Sequence, residues 1–225
     1  MGGVADHILS FYASLPASLS LPKGIDLIYP FGDKDVGRVL KIFYKKYYSD
    51  RGNRLFLLGI NPGRFGAGMT GVPFTDPILL AEHCGIENDF EQKHELSSVF
   101  IHKMIAAMGG PDIFYKQFYI SSVCPLGFTK EGKNYNYYDS EALYNAIEPF
   151  IVESITSQVN RFCDRRVAFS IGQGKNYKIF KSLNEEHQWF DIVLPLPHPR
   201  WVMQYKRKSL DIHLSTYITS LSDYL

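Results

Sequence analysis

The chain has 225 residues, 45% of them hydrophobic and 21% charged, and a formal net charge of +1. That is ample material for one core, and too little charge for a protein that holds nucleic acid by bulk attraction alone. No apolar run is long enough to span a membrane, no basic leader opens the chain, and Cys84, Cys124 and Cys163 are too few and scattered for a disulfide frame or metal cluster, so a cytoplasmic protein without metal or cofactor is expected.

Val36, Val39, Leu40, Phe43 and Tyr47 recur at helical spacing. Nothing else before residue 50 places that region in a fold. Residues 55–58 are a continuous apolar run, the pattern of a strand covered on both faces. They lead into Gly59 to Phe74, GINPGRFGAGMTGVPF, a loop with five glycines that lets backbone and one amide side chain approach a ligand closely. Thr75-Asp76-Pro77 reads as the cap of a following helix. Val99, Ile101, Ile105 and Met108 mark another helix, stopped by Gly109-Gly110-Pro111.

Residues 118–123, 166–171 and 192–196 complete a set of four strands, with a long helix over 142–162 and a C-terminal helix carrying Leu210, Leu214, Tyr217, Leu221 and Tyr224. Strands alternating with helices predict one α/β domain over 1–225, a three-layer α/β/α arrangement around a central, mainly parallel four-stranded sheet. No internal repeat interrupts it. Ligands of such sheets bind beyond the carboxyl ends of the strands, where the unusual loops of this chain lie.

Three loops carry chemistry. The first presents Asn61, and Phe74 at its end suits stacking on a planar ring. The second runs from Cys124-Pro125-Leu126 to Gly132-Lys133-Asn134, where the Asn134 amide has the donors and acceptor to read one edge of a base. In the third, Pro195, Pro197 and Pro199 hold His198 in a fixed place, as an electrostatic stabiliser requires. Taken singly, each of these residues has an ordinary reading as turn, core or surface. Arg200, Lys206, Arg207 and Lys208 then form a block without an acid around Trp201, Val202, Met203 and Tyr205, and Lys175 opens a helix after Gly172-Gln173-Gly174.

Together the three loops resemble the uracil-DNA glycosylase superfamily, in particular a bacterial subgroup of its single-strand-selective monofunctional enzymes. The family's first motif, GMNPGPFGMAQTGVPFG, is met without a gap by Gly59, Asn61, Pro62, Gly63, Phe65, Gly66, Thr70, Gly71, Val72, Pro73 and Phe74. Its CPL and GKN elements match residues 124–126 and 132–134. Its last motif, HPSPR, is matched in part by His198, Pro199 and Arg200, two residues short.

The resemblance implies a hydrolase of base excision repair that cuts the N-glycosidic bond of uracil in DNA, with deaminated purines or oxidised pyrimidines, or DNA binding without turnover, as alternatives. Asn61 would orient water, and His198 would stabilise charge developing at uracil O2. Phe74 would stack on the flipped base, Asn134 would bond its edge, and Gly63 with the backbone at Ile60 and Arg64 would shape the pocket floor. Arg200, Trp201, Met203, Tyr205, Lys206, Arg207, Lys208 and Lys175 would contact DNA, single- or double-stranded. Asn61 cannot serve as a general base, so a dissociative path is expected. A monomer of the bacterial cytoplasm or nucleoid completes the expectation.

Overall fold

The computed structural model describes residues 2–225. The helices are α1 (Val4–Ser14), α2 (Lys34–Tyr47), α3 (Ala67–Thr70), α4 (Pro77–Glu82), α5 (Leu96–Ala107), α6 (Pro111–Gln117), α7 (Glu141–Phe162), α8 (Lys175–His187), α9 (Pro199–Tyr205) and α10 (Leu210–Ser222). The strands are β1 (Ile25–Ile28), β2 (Arg54–Gly59), β3 (Phe118–Ser122), β4 (Gly127–Lys130), β5 (Lys133–Tyr135), β6 (Cys163–Ile171) and β7 (Ile192–Leu196).

The expected central sheet is present: four parallel strands in the order β3-β2-β6-β7. Every residue of β2 and β3 is buried. Because successive side chains point to opposite faces, both faces must be covered by helices, which accounts for apolar runs that do not alternate. From β2 the chain passes to β3 on one side and later crosses back past β2 to β6 on the other, so the sheet has its switch point between β2 and β6. A crevice opens there at the strand ends.

A second sheet was not expected. Strands β1, β4 and β5 pair antiparallel in the order β1-β4-β5. A two-residue turn joins β4 to β5, with φ of 51° at Glu131 and 69° at Gly132. Left-handed values at both central positions match the twist of a tight hairpin, and Gly132 adopts one without penalty. This hairpin, rather than a loop, carries Asn134.

The region before residue 50 is built into the core. Val4, Ala5, Ile8, Phe11 and Tyr12 form the buried stripe of α1, which packs on α2 and α7. Helix α2 buries Val36, Val39, Leu40, Phe43, Tyr44 and Tyr47, and Asp33 caps it by accepting from the Asp35 and Val36 amides.

Candidate active site

Two loops of the central sheet and the hairpin meet at one cleft of about 360 Å³, the size of a small-molecule site. Ile60, Asn61, Gly63 and Phe74 reach it from the loop after β2, Asn134 from β5 and His198 from the loop after β7. A methyl group on Gly59 would lie 2.7 Å from the Phe74 ring, so glycine there admits the aromatic. Phe74 itself has φ of 52°, a strained conformation for a bulky residue and of a kind that gathers at functional sites.

The Asn61 amide is held by backbone. Its Nδ2 donates to the Pro62 and Tyr135 carbonyls, both at 3.3 Å, and its Oδ1 accepts from the Tyr137 amide at 3.0 Å. Both Nδ2 hydrogens are thereby used, and one Oδ1 lone pair remains for a ligand. The buried Tyr137 hydroxyl donates to Asn176 Oδ1 at 3.0 Å, and Asn176 donates to Ser170 Oγ at 3.2 Å. The chain of bonds locks the first loop to the hairpin, α8 and β6.

His198 is the N-cap of α9: its Nδ1 accepts from the Arg200 amide at 3.2 Å. That bond assigns the proton of the neutral ring to Nε2, leaving an N–H donor. Burial, with Arg200 adding to it, lowers the His198 pKa to about 4. An unfolded chain protonates this imidazole near its ordinary 6.5, so its contribution to stability is complete above that pH and is lost as pH falls from 6.5 towards 4. Single-turnover rates should accordingly show no His198 limb near pH 6.5, and an NMR titration should find its midpoint near 4. A limb at 6.5 that vanishes in a His198→Gln variant would contradict this protonation state.

Asn134 Oδ1 accepts from the Arg64 amide at 3.1 Å, which fixes the orientation of the carboxamide and turns Nδ2 towards Gly63. Arg64 joins the site through its backbone, while its exposed guanidinium stacks 4.8 Å from the Phe65 ring, outside the cleft lining.

The segment after His198 forms α9, whose period turns Val202 and Met203 into the core and leaves Trp201 41% and Tyr205 67% exposed at the cleft. Met203 cannot reach a duplex without leaving its packing, so it is removed from the DNA-contacting set. Lys206 sits over the Trp201 ring at 5.5 Å, and Arg207 and Lys208 are exposed beyond it. Lys175 donates to the Tyr138 carbonyl and lines a neighbouring hollow that shares Ile60, His198 and Trp201 with the main cleft, which Lys175 itself does not line.

Sequence reasoning missed Glu95. It lies just before α5, lines the cleft and has one carboxylate oxygen bonded by Ser98 Oγ at 3.2 Å. Burial raises its pKa, with the Ser98 bond and Arg200 opposing. The readable signal was indirect: a methyl on Gly66 would fall 2.0 Å from Glu95 Oε2, so part of the loop's glycine content makes room for this carboxyl.

A family model described as the uracil DNA glycosylase superfamily matches residues 45–222. Among solved structures, the crystal structure of wild-type Pedobacter heparinus SMUG2 is similar with a TM-score of 0.96 and 43% sequence identity, over 100% of this chain and 99% of that one. A search of curated proteins finds no match.

Proposed function

The chain belongs to the uracil DNA glycosylase superfamily, and on that premise we propose that Asn61 and His198 carry its chemistry. It is a uracil-DNA glycosylase, a hydrolase of base excision repair whose partner is DNA. What supports the residue assignment is the meeting of Asn61, Phe74, Asn134 and His198, from separate segments, on one cleft.

In this reading the extruded uracil stacks on Phe74 and offers its O4 to Asn134 Nδ2. The C1′–N1 bond breaks first, its electron pair leaving with the base. His198 Nε2–H meets the charge that develops at O2, and does so as a neutral donor that need not give up its proton. Water held on the free Oδ1 lone pair of Asn61 then adds to the sugar cation at C1′ and releases its proton to solvent. The nucleophile is water rather than an amine, so the enzyme is monofunctional. Treating single strands that carry one uracil with the protein, followed by alkali, should cut at that position; uncut strands would reject the activity.

The chain acts as one domain and as a monomer in the cytoplasm, on single- and double-stranded DNA. Duplex DNA demands unstacking, and Trp201 and Tyr205 are the exposed aromatics at the cleft mouth, followed by Lys206, Arg207 and Lys208. Neutralising the three cations together should lower the salt slope of DNA binding by up to about three. Tyr205→Ala should hurt duplex substrate more than single-stranded substrate, since only the duplex leaves a gap to fill. An unchanged slope with an unchanged strand ratio would make this segment purely structural.

A further inference from the structure

We infer that Asn176 is a positioning residue for excision: from the first turn of α8 it seats Tyr137, whose backbone decides where the free lone pair of Asn61 points. The inference rests on the reading of Asn61 as the residue that holds the attacking water.

The Asn61 Oδ1 atom has two lone pairs, and the Tyr137 amide takes one of them at 3.0 Å. The direction left for water is therefore set by the place of the Tyr137 backbone. Tyr137 lies in a turn beyond β5, where no strand ladder fixes it. Its side chain does so instead. The ring is fully buried, and the hydroxyl donates to Asn176 Oδ1 at 3.0 Å.

Asn176 is itself locked in one orientation. Ser170 Oγ lies 3.0 Å from the Gly172 carbonyl, which can only accept, so the hydroxyl donates there. A lone pair of Ser170 then faces Asn176 at 3.2 Å, which fixes that contact as Nδ2 and turns Oδ1 to Tyr137. Both Asn176 and Ser170 are buried, where leaving any of these groups unpaired is costly, so the arrangement resists slippage.

The other end of the chain of bonds reaches the second half of the site. Gly172 donates its amide at 2.9 Å to the carbonyl of Leu196, two residues before His198. One buried amide thus ties the support of Asn61 to the strand ends from which His198 departs. The two tethers are unequal. The His198 loop has a further hold in the buried Tyr217 hydroxyl, which donates to the Pro197 carbonyl, so loss of Asn176 should be felt first at Asn61. Asn176 lines the neighbouring hollow and not the cleft, so replacing it removes no contact with the base.

The test compares single-turnover excision of uracil with binding of a strand carrying 2′-fluoroarabino-uridine, whose glycosidic bond resists hydrolysis. Tyr137→Phe keeps the ring and removes the hydroxyl. It should slow excision by about fivefold or more and leave the dissociation constant within about twofold, because misplacing a group at the reacting centre costs rate rather than ground-state contacts. Asn176→Ala should do the same. The deciding readout is a double-mutant cycle: the Asn61→Ala protein has no lone pair to aim, so adding Tyr137→Phe should change its remaining rate by less than about twofold. A merely structural role would slow the Asn61→Ala protein as much as the wild type, and that result overturns the inference. So does a wild-type rate in either Tyr137→Phe or Asn176→Ala, or a loss of binding that matches the loss of rate. Ser170→Ala frees the Asn176 amide to turn, and decides the matter in the same cycle if the phenylalanine protein does not fold. Asn61→Ala also separates the two readings. If it excises uracil at the wild-type rate, the reading of Asn61 falls; if it is slow and Tyr137→Phe is not, only the role of Asn176 falls.

Discussion

Asn61→Ala is expected to slow single-turnover excision of uracil by about 10²–10³-fold, the range for loss of one well-placed polar contact at a reacting centre. Affinity for uracil-containing DNA should change little, because the contact is to water and not to the base. The structure adds a second expected effect. Alanine deletes three hydrogen bonds that join the first loop to the hairpin and leaves the Tyr137 amide without its partner. A measurable fall in melting temperature should therefore accompany the loss of rate, each bond being worth about 0.5–1.5 kcal/mol net. Asn61→Asp separates the two effects. It keeps the Oδ1 acceptor but sets a carboxylate oxygen against the Pro62 and Tyr135 carbonyls, so it should destabilise at least as much as alanine. Wild-type rates in the alanine variant would withdraw Asn61 from catalysis and leave it as a clamp between loops.

The sheet was legible because its strands are buried on both faces and therefore read as unbroken apolar runs; residues 192–196 coincide with β7. The Asp76 cap and the start of α8 after Gly174 were legible for local reasons, a side chain bonding its own helix and a glycine before a helical period. Features that depend on distant partners were not. Strands β4 and β5 are short and polar, and β4 is completed by β1, a hundred residues earlier in the chain. The apolar period of α1 is local, but its packing partner α7 begins far downstream. Met203 and Tyr205 are chemically similar candidates for a wedge. Only the helical turn of α9, with its face against α5, decides that the first is core and the second exposed. Glu95 could not be found from its neighbours in sequence because its meaning lies in Gly63 and Gly66, thirty residues away and in contact only after folding.

His198→Ala should lower the chemical step by about 10²–10³-fold, the loss expected on removing one donor from a developing oxyanion. The loss should depend on the leaving group, because the donor matters in proportion to the charge left on the departing base. Comparing 5-fluorouracil with uracil makes this visible: fluorine stabilises the anion, so the variant should lose less on the fluorinated base and the ratio of the two rates should rise. Two side effects of the substitution have to be kept apart from this. The imidazole caps α9, and its loss costs helix stability of about 1 kcal/mol; it also touches Gly172, at 3.7 Å from where a methyl on that glycine would lie. His198→Asn retains a capping side chain but is too short to carry a donor to the position of Nε2. If stability were the whole effect, the asparagine protein would recover the wild-type rate. If His198 contributed only to binding, both variants would lose equally on uracil and 5-fluorouracil. The assignment of His198 as oxyanion donor requires that the asparagine protein fold normally, remain slow, and show the same rise in the 5-fluorouracil to uracil ratio as the alanine protein.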